Sequence, residues 1–177
     1  MSSSLDPNHK GRVSLTPIVS EEVGEVAEMA SVIWPAAYGS ILQPEQIDYM
    51  LGRMYGREQL HNDFVKGVRM WWICLDGERV GFLAVGPIDV RGECPLHKFY
   101  LLPAVQGKGC GSQAFARLVE ILSDEGTRRI ELRVNRHNGA AIGFYRKNGF
   151  SIDGEDCLDI GDGFVMDDFL MGRDLPS

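Results

Sequence analysis

The sequence predicts an α/β domain on one mixed sheet (α+β in its strand directions), with elements in the order β-α-α-β-β-β-α-β-α-β-β. Three observations carry that prediction. The bulky apolar run Phe99 to Leu102 passes, through a segment with glycine at every second position, into an amphipathic helix. Asp76-Gly77, set between two apolar runs, is a strong hairpin signal. The chain ends in two further alternating runs separated by a glycine-rich turn, which reads as an antiparallel pair.

Taken in order, Arg12 to Ile18 alternates as a first strand. Ser20 suits a helix N-cap, and Glu21, Glu22 and Glu25 complement the positive end of the helix dipole. Val23, Val26, Ala27, Ala30 and Ile33 share a face until the helix meets Trp34-Pro35, where the residue before proline is biased out of the helical region. Pro44 suits the first turn of a second helix striped by Ile47, Met50, Leu51 and Met54, and a short helix over 57–66 follows. Met70 to Leu75 and Arg79 to Val85 form the hairpin. After the central strand come a helix from Ser112 with Ala114, Phe115, Leu118, Val119, Ile121 and Leu122 inward, a strand at Ile130 to Val134, and a helix from Asn138 to Lys147 closed by Gly149. Phe150 to Leu158 and Phe164 to Arg173 pair across 159–163.

At 177 residues, 44% hydrophobic and 24% charged, the chain has the size and composition of one globular domain, expected over 12–177 behind a flexible start at 1–11. Met1 to His9 has no apolar signal region and no run approaches a membrane span, so a cytoplasmic protein without membrane contact is expected. Cys74, Cys94, Cys110 and Cys157 form no C-x-x-C pair and argue for neither zinc nor disulfides, so no metal is expected. The net charge is −7, and residues 151–177 carry the whole excess: Asp153, Glu155, Asp156, Asp159, Asp162, Asp167, Asp168 and Asp174 against Arg173. No basic patch suggests nucleic acid; a cationic partner is favoured instead.

Gly107, Gly109 and Gly111 lie between the central strand and its helix. Such a loop leaves backbone N–H groups unpaired at the positive end of a helix dipole, and the expected guest is a phosphate or pyrophosphate; a ligand-free tight turn is the plainer alternative. A Walker loop is excluded because Lys108 is followed by Gly109. Gly109 to Ala114 fits the dinucleotide fingerprint G-x-G-x-x-A, but the next strand ends in Asn135 rather than an acid, and no further strand–helix alternation follows.

Gln106-Gly107-Lys108-Gly109-Cys110-Gly111 resembles the Q/R-x-x-G-x-G/A pattern of the GNAT superfamily of acetyl-CoA-dependent N-acyltransferases. Leu96 to Pro103 resembles that family's fourth strand, and Asn135 to Phe150 its N-x-x-A-x-x-F-Y-x-x-x-G-F segment, in the family's order and spacing. The resemblance implies the GNAT fold, with the fourth and fifth strands splayed apart and parallel, and acetyl-CoA as cofactor. It implies pyrophosphate contacts along Gln106, Gly107, Lys108, Gly109, Cys110, Gly111 and Ser112, and backbone bonds to the pantetheine arm and thioester at Tyr100, Leu101 and Leu102. Asn138 becomes a cofactor contact as well as an N-cap, and Tyr145 the acid that protonates the departing thiolate. Binding alone needs no acid there, which speaks against a non-catalytic acetyl-CoA sensor. The base that takes the amine's proton is left between Glu93, ahead of the fourth strand, and His97 within it. Trp34 and Tyr38 fall where the family walls its acceptor pocket. Asp159-Ile160-Gly161-Asp162-Gly163, leading into a D-x-x-M strand, resembles the ending of bacterial polyamine N-acetyltransferases, which implies Asp159 and Asp162 as acceptor contacts. The expected reaction is direct transfer of acetyl to a small cationic amine or polyamine, by a monomer or homodimer. Acetylation of a peptide or protein amine is the alternative.

Overall fold

A computed structural model describes residues 11–176; of the start predicted to be flexible, all but Gly11 lies outside the described residues. The elements are β1 (Val13–Pro17), α1 (Val23–Tyr38), α2 (Pro44–Tyr55), α3 (Arg57–Val65), β2 (Arg69–Leu75), β3 (Glu78–Val85), β4 (Glu93–Leu101), α4 (Cys110–Asp124), β5 (Arg129–Asn135), α5 (Gly139–Lys147), β6 (Ser151–Gly161) and β7 (Phe164–Asp174). The seven strands form one sheet in the order β1-β2-β3-β4-β5-β7-β6. Only β4 and β5 run parallel among its neighbouring pairs. The expected α/β mixed sheet is thus what the chain forms, with the short helix over 57–65 as a third helix between β1 and β2. Among the described residues, no helix is long and apolar enough to cross a membrane.

Two local expectations are corrected. Helix α1 runs through Trp34-Pro35 to Tyr38, and the Gly39 N–H closes the last turn on the Pro35 carbonyl at 2.9 Å. Proline removes one helical hydrogen bond, but Ile33 and Trp34 are 1% exposed, so burial of the continuing face outweighs the loss. Ser20 does not cap the helix: its hydroxyl donates to Glu21, while the Glu22 carboxylate accepts the Val19 N–H at 3.0 Å. Both hairpins turn on two residues with positive φ, Asp76-Gly77 (50° and 89°) and Asp162-Gly163 (54° and 77°), which suits a two-residue turn whose twist matches the strands. The final turn is accordingly tighter than 159–163.

Strand β4 positions everything that follows. It begins at Glu93, earlier than its apolar run suggests, and pairs with β5 only from Glu93↔Arg129 to Leu96↔Leu132. Beyond that the two parallel strands separate. β5 continues against β7 through Asn135↔Asp168, and β4 continues against β3 alone. At the same place the β3–β4 register slips, from Val85↔Leu96 to Ala84↔Lys98, leaving His97 as an extra residue. Such a bulge reverses which side chains face which side. Before it, Cys94 and Leu96 enter the core beneath α4, among Phe115, Leu118 and Ile130; after it, Phe99 and Leu101 do. Tyr100 then joins the other core, beneath α1 and α2, among Trp34, Trp72 and Phe82.

The acidic end of the chain is clamped rather than free. Arg129 pairs with Asp153 and Asp174, Arg133 with Asp156 and Asp168, and Arg136 with Glu155 and Asp167. Three arginines on or just beyond β5 therefore hold six carboxylates of the β6–β7 hairpin.

Candidate active site

The separation of β4 from β5 opens two cavities that share walls. One, of about 610 Å³, lies between the far half of β4, the glycine loop and α5. The other, of about 810 Å³, lies among α1–α3, β4, β5 and the β6–β7 hairpin. Tyr38, His97, Lys98, Tyr100 and Arg133 line both.

In the smaller cavity the structure brings together Tyr100, Leu101, Gln106, Gly107, Gly109, Gly111, Ser112, Asn138 and Tyr145. Gly109 caps α4 with φ 80°, in the left-handed region that favours glycine. Gly111 is small because a Cβ there would lie 3.0 Å from the Phe144 ring. The Gln113 N–H is the first to find a carbonyl, that of Gly109 at 3.2 Å. The N–H groups of Cys110, Gly111 and Ser112 therefore stand unpaired at the helix start, beside the cavity. Open N–H groups, a helix dipole and a wall with no side chain suit an anionic diphosphate.

The strand-end and loop residues expected at the cofactor do not all line the cavity. The Leu102 N–H donates to the Val80 carbonyl at 2.8 Å, so that amide is already bonded to β3. The Leu101 carbonyl accepts from Gln106 Nε2 at 3.0 Å, so Gln106 braces the strand end as well as lining the cavity. Cys110 is 2% exposed and burial pushes its thiol up, which leaves it unsuited to act as a nucleophile. Lys108 is exposed; it, Leu102 and Cys110 are not among the lining residues.

Tyr145 is half-buried, edge-on to Phe144 and Phe150 with centroids at 5.4 and 5.5 Å. Burial, and then the neighbouring Tyr38, push its phenol up, so it holds its proton at neutral pH. Asn138 caps α5 by accepting the Ala141 N–H at 3.1 Å. His97 stands on the bulge, with room for its imidazole because Gly86 lies opposite: a Cβ there would be 2.7 Å from His97 Nε2. Desolvation, and then Lys98, hold its pKa below the usual imidazole value. Glu93 heads β4, pairs with Arg91 and lines neither cavity.

In the larger cavity Trp34 and Tyr38 stack at a centroid distance of 4.5 Å, and the Tyr38 and Tyr100 hydroxyls lie 3.1 Å apart. Trp34 Nε1 donates to the Tyr55 hydroxyl at 3.2 Å. Asp159 and Asp162 line neither cavity. Asp159 accepts the Gly161 N–H at 2.8 Å, and Asp162 forms the turn, so the tight geometry of the hairpin tip occupies both.

Sequence reasoning passed over four charged residues here. Lys98 is 7% exposed, its Nζ 3.4 Å from Asp63 on α3 and over the Tyr55 ring. Asp168 is 3% exposed, its Oδ2 accepting from Arg133 Nε at 3.1 Å. The signals were present. Apolar residues at 94, 96, 99 and 101 announce the bulge that turns Lys98 inward, and Asp168 falls in step with Met166 and Leu170 on one strand face.

The acetyltransferase (GNAT) family pattern matches residues 25–150. The chain is 30% identical over 86 residues to the uncharacterized N-acetyltransferase MJ1207 of Methanocaldococcus jannaschii, covering 45% of this chain and 38% of that protein. It is 34% identical over 85 residues to the uncharacterized N-acetyltransferase YdgE of Bacillus subtilis, covering 46% and 54%. The chain thus matches about half or less of the length of these relatives. In fold it is similar to the PaiA N-acetyltransferase of Thermoplasma acidophilum, solved in complex with coenzyme A, with a TM-score of 0.76 and 24% identity over 92% of this chain and 99% of that one.

Proposed function

The chain belongs to the GNAT family of acetyltransferases, and from that premise we propose that it transfers an acetyl group from acetyl-CoA to the primary amine of a small cationic acceptor, a polyamine being the favoured class. The observation that carries the reading is the meeting of two cavities where β4 leaves β5, one fitted to a diphosphate and the other walled by aromatic rings and charged groups. Acetyl-CoA supplies an activated acyl group whose leaving thiolate needs a proton.

The unpaired N–H groups of Cys110, Gly111 and Ser112 would hold its pyrophosphate, and the open edge of β4 at Phe99 to Leu101 its extended arm. Backbone N–H groups fixed in a strand suit a developing oxyanion because they need no reorganisation. Tyr145, protonated at neutral pH, gives up its proton on the smaller-cavity side. His97, neutral at pH 7 and lining both cavities, takes the proton from the acceptor nitrogen. A cytoplasmic setting fits the four free cysteines. The test is thiol release from acetyl-CoA with a panel of diamines, polyamines, monoamines and a peptide amine. Acetylated product from a cationic small amine is expected. Binding of acetyl-CoA with no product from any amine would leave a sensor; a peptide-only product would move the acceptor class.

A further inference from the structure

We propose that Asp168 is the seat for an alkylammonium group of the acceptor, and that the acceptor therefore carries two nitrogens, one seated and one reacting. The class of acceptor rests on the acetyl-transfer reading; the seat does not, because it is a binding claim.

Asp168 projects from β7 into the wall of the larger cavity and is 3% exposed. A carboxylate this buried needs a partner. Arg133 supplies one, but only in part. Its Nε reaches Asp168 Oδ2 at 3.1 Å, while its Nη1 lies 2.8 Å from Asp156. One guanidinium thus serves two carboxylates and leaves the pair with a net negative charge. Asp168 Oδ1 has no protein donor among the described residues. The opposite wall tells the other way. Asp63 is matched one-to-one by buried Lys98, and Gln59 donates to its second oxygen at 2.8 Å. Glu131 and Asp153 also line the cavity and share Arg129 with Asp174, but both are exposed to water. Asp168 is therefore the buried cavity carboxylate with both unmatched charge and an uncommitted oxygen.

Its surroundings suit a cation on an alkyl chain. Trp34, Tyr38 and Tyr100 share the cavity. Aromatic faces take up methylene groups and favour a nearby cation. The seat also constrains the reaction. A carboxylate neighbour raises an amine's pKa, so a nitrogen seated there stays protonated and cannot attack. A second nitrogen must reach the thioester. Monoamines would fill the seat or react, but not both at once.

The test uses calorimetry on the full chain saturated with coenzyme A, with n-butylamine, 1,4-diaminobutane and uncharged 1-butanol as probes. Either amine can seat one ammonium, so each should bind at least about tenfold more tightly than the alcohol, the scale of one charge-assisted contact. Asp168→Asn keeps the size and an acceptor for Arg133, and should erase that difference. Glu155→Gln alters the neighbouring clamp of Arg136 and should leave it intact. Unfolding midpoints for both variants check that the clamp survives. If Asp168→Asn keeps the amine preference, if both substitutions weaken it alike, or if the wild-type protein binds neither amine, the seat is overturned; acetylation of n-butylamine as fast as of the diamine would overturn the need for a second nitrogen. If the diamine binds through Asp168 but is not acetylated, the seat stands and the transferase reading fails.

Discussion

The two cavities are built in opposite ways. The smaller draws most of its wall from two contiguous stretches, Leu96 to Ser112 and Arg133 to Lys147, and its recognition elements are backbone N–H groups and the absence of side chains. The larger draws on α1, α2, α3, β4, β5, β6 and β7, and its recognition elements are side chains matched in pairs across long sequence distances. A backbone site is set by the fold of one loop and fails when anything is added to it. A side-chain site can be altered one charge at a time while the fold stands. The difference teaches where each half is vulnerable.

The largest effect should come from adding to the backbone site. Gly109→Asp puts a side chain on a residue at φ 80° and a negative charge beside the open N–H groups, and should abolish acetyl-CoA binding by calorimetry. Normal binding would mean the diphosphate sits elsewhere. Next, Tyr145→Phe keeps the packing against Phe144 and Phe150 but removes the proton donor. It should lower kcat by roughly 10–1000-fold with acetyl-CoA affinity unchanged. An unchanged kcat would make Tyr145 a packing residue only.

Breaking a matched pair in the larger cavity should cost stability rather than cofactor binding. Asp63→Ala strands the Lys98 ammonium at 7% exposure, and urea unfolding should show a loss of about 3 kcal/mol. Lys98→Met removes that burden with similar volume, and Lys98→Met with Asp63→Ala should recover most of the loss. A loss below about 0.5 kcal/mol for Asp63→Ala would show the pair behaving like an exposed one. The smallest effect concerns pH. The imidazole of His97 is held below its ordinary value, near 6.5, so as the pH is lowered kcat/KM should stay level past that point and fall only beneath it, as the base becomes protonated. His97→Gln should remove the inflection. A decline that begins above pH 6.5 would assign the proton to another group.

The same contrast explains what could be read from the chain. The glycine spacing at 107, 109 and 111, the Asn138 cap and the Phe144-Tyr145 pair were legible because each acts within about one turn of its neighbours. The Asp76-Gly77 hairpin was legible for the same reason. The continuation of α1 through Pro35 was not, because burial of Trp34 against α3 and β4 residues overrides a local preference. Asp159 and Asp162 looked like acceptor contacts because the hairpin ending resembles that of polyamine N-acetyltransferases and the tail carries the acidic excess. In three dimensions six of its acids are held by Arg129, Arg133 and Arg136, and the two left over belong to the turn. Of the six, Asp153 and Asp168 line the larger cavity; Asp168 is the buried one, and only the sharing of Arg133 leaves it charge to offer.

The extra residue at His97 also bears on which changes of chain length the protein can absorb. The tip at Asp162-Gly163 joins two strands that are already paired, so residues added there lengthen an exposed loop and move nothing else. In β4, loss of His97 would remove the bulge and leave Cys94, Leu96, Phe99 and Leu101 on one face in unbroken alternation. A further residue added to the strand, or one lost while the bulge stays, would instead exchange the two faces on one side of the change: Phe99 and Leu101 would leave the core under α4 for the other cleft, while Lys98 and Tyr100 would enter that core. Homologous chains should therefore differ in length at the hairpin tips, and within β4 only by the residue of the bulge.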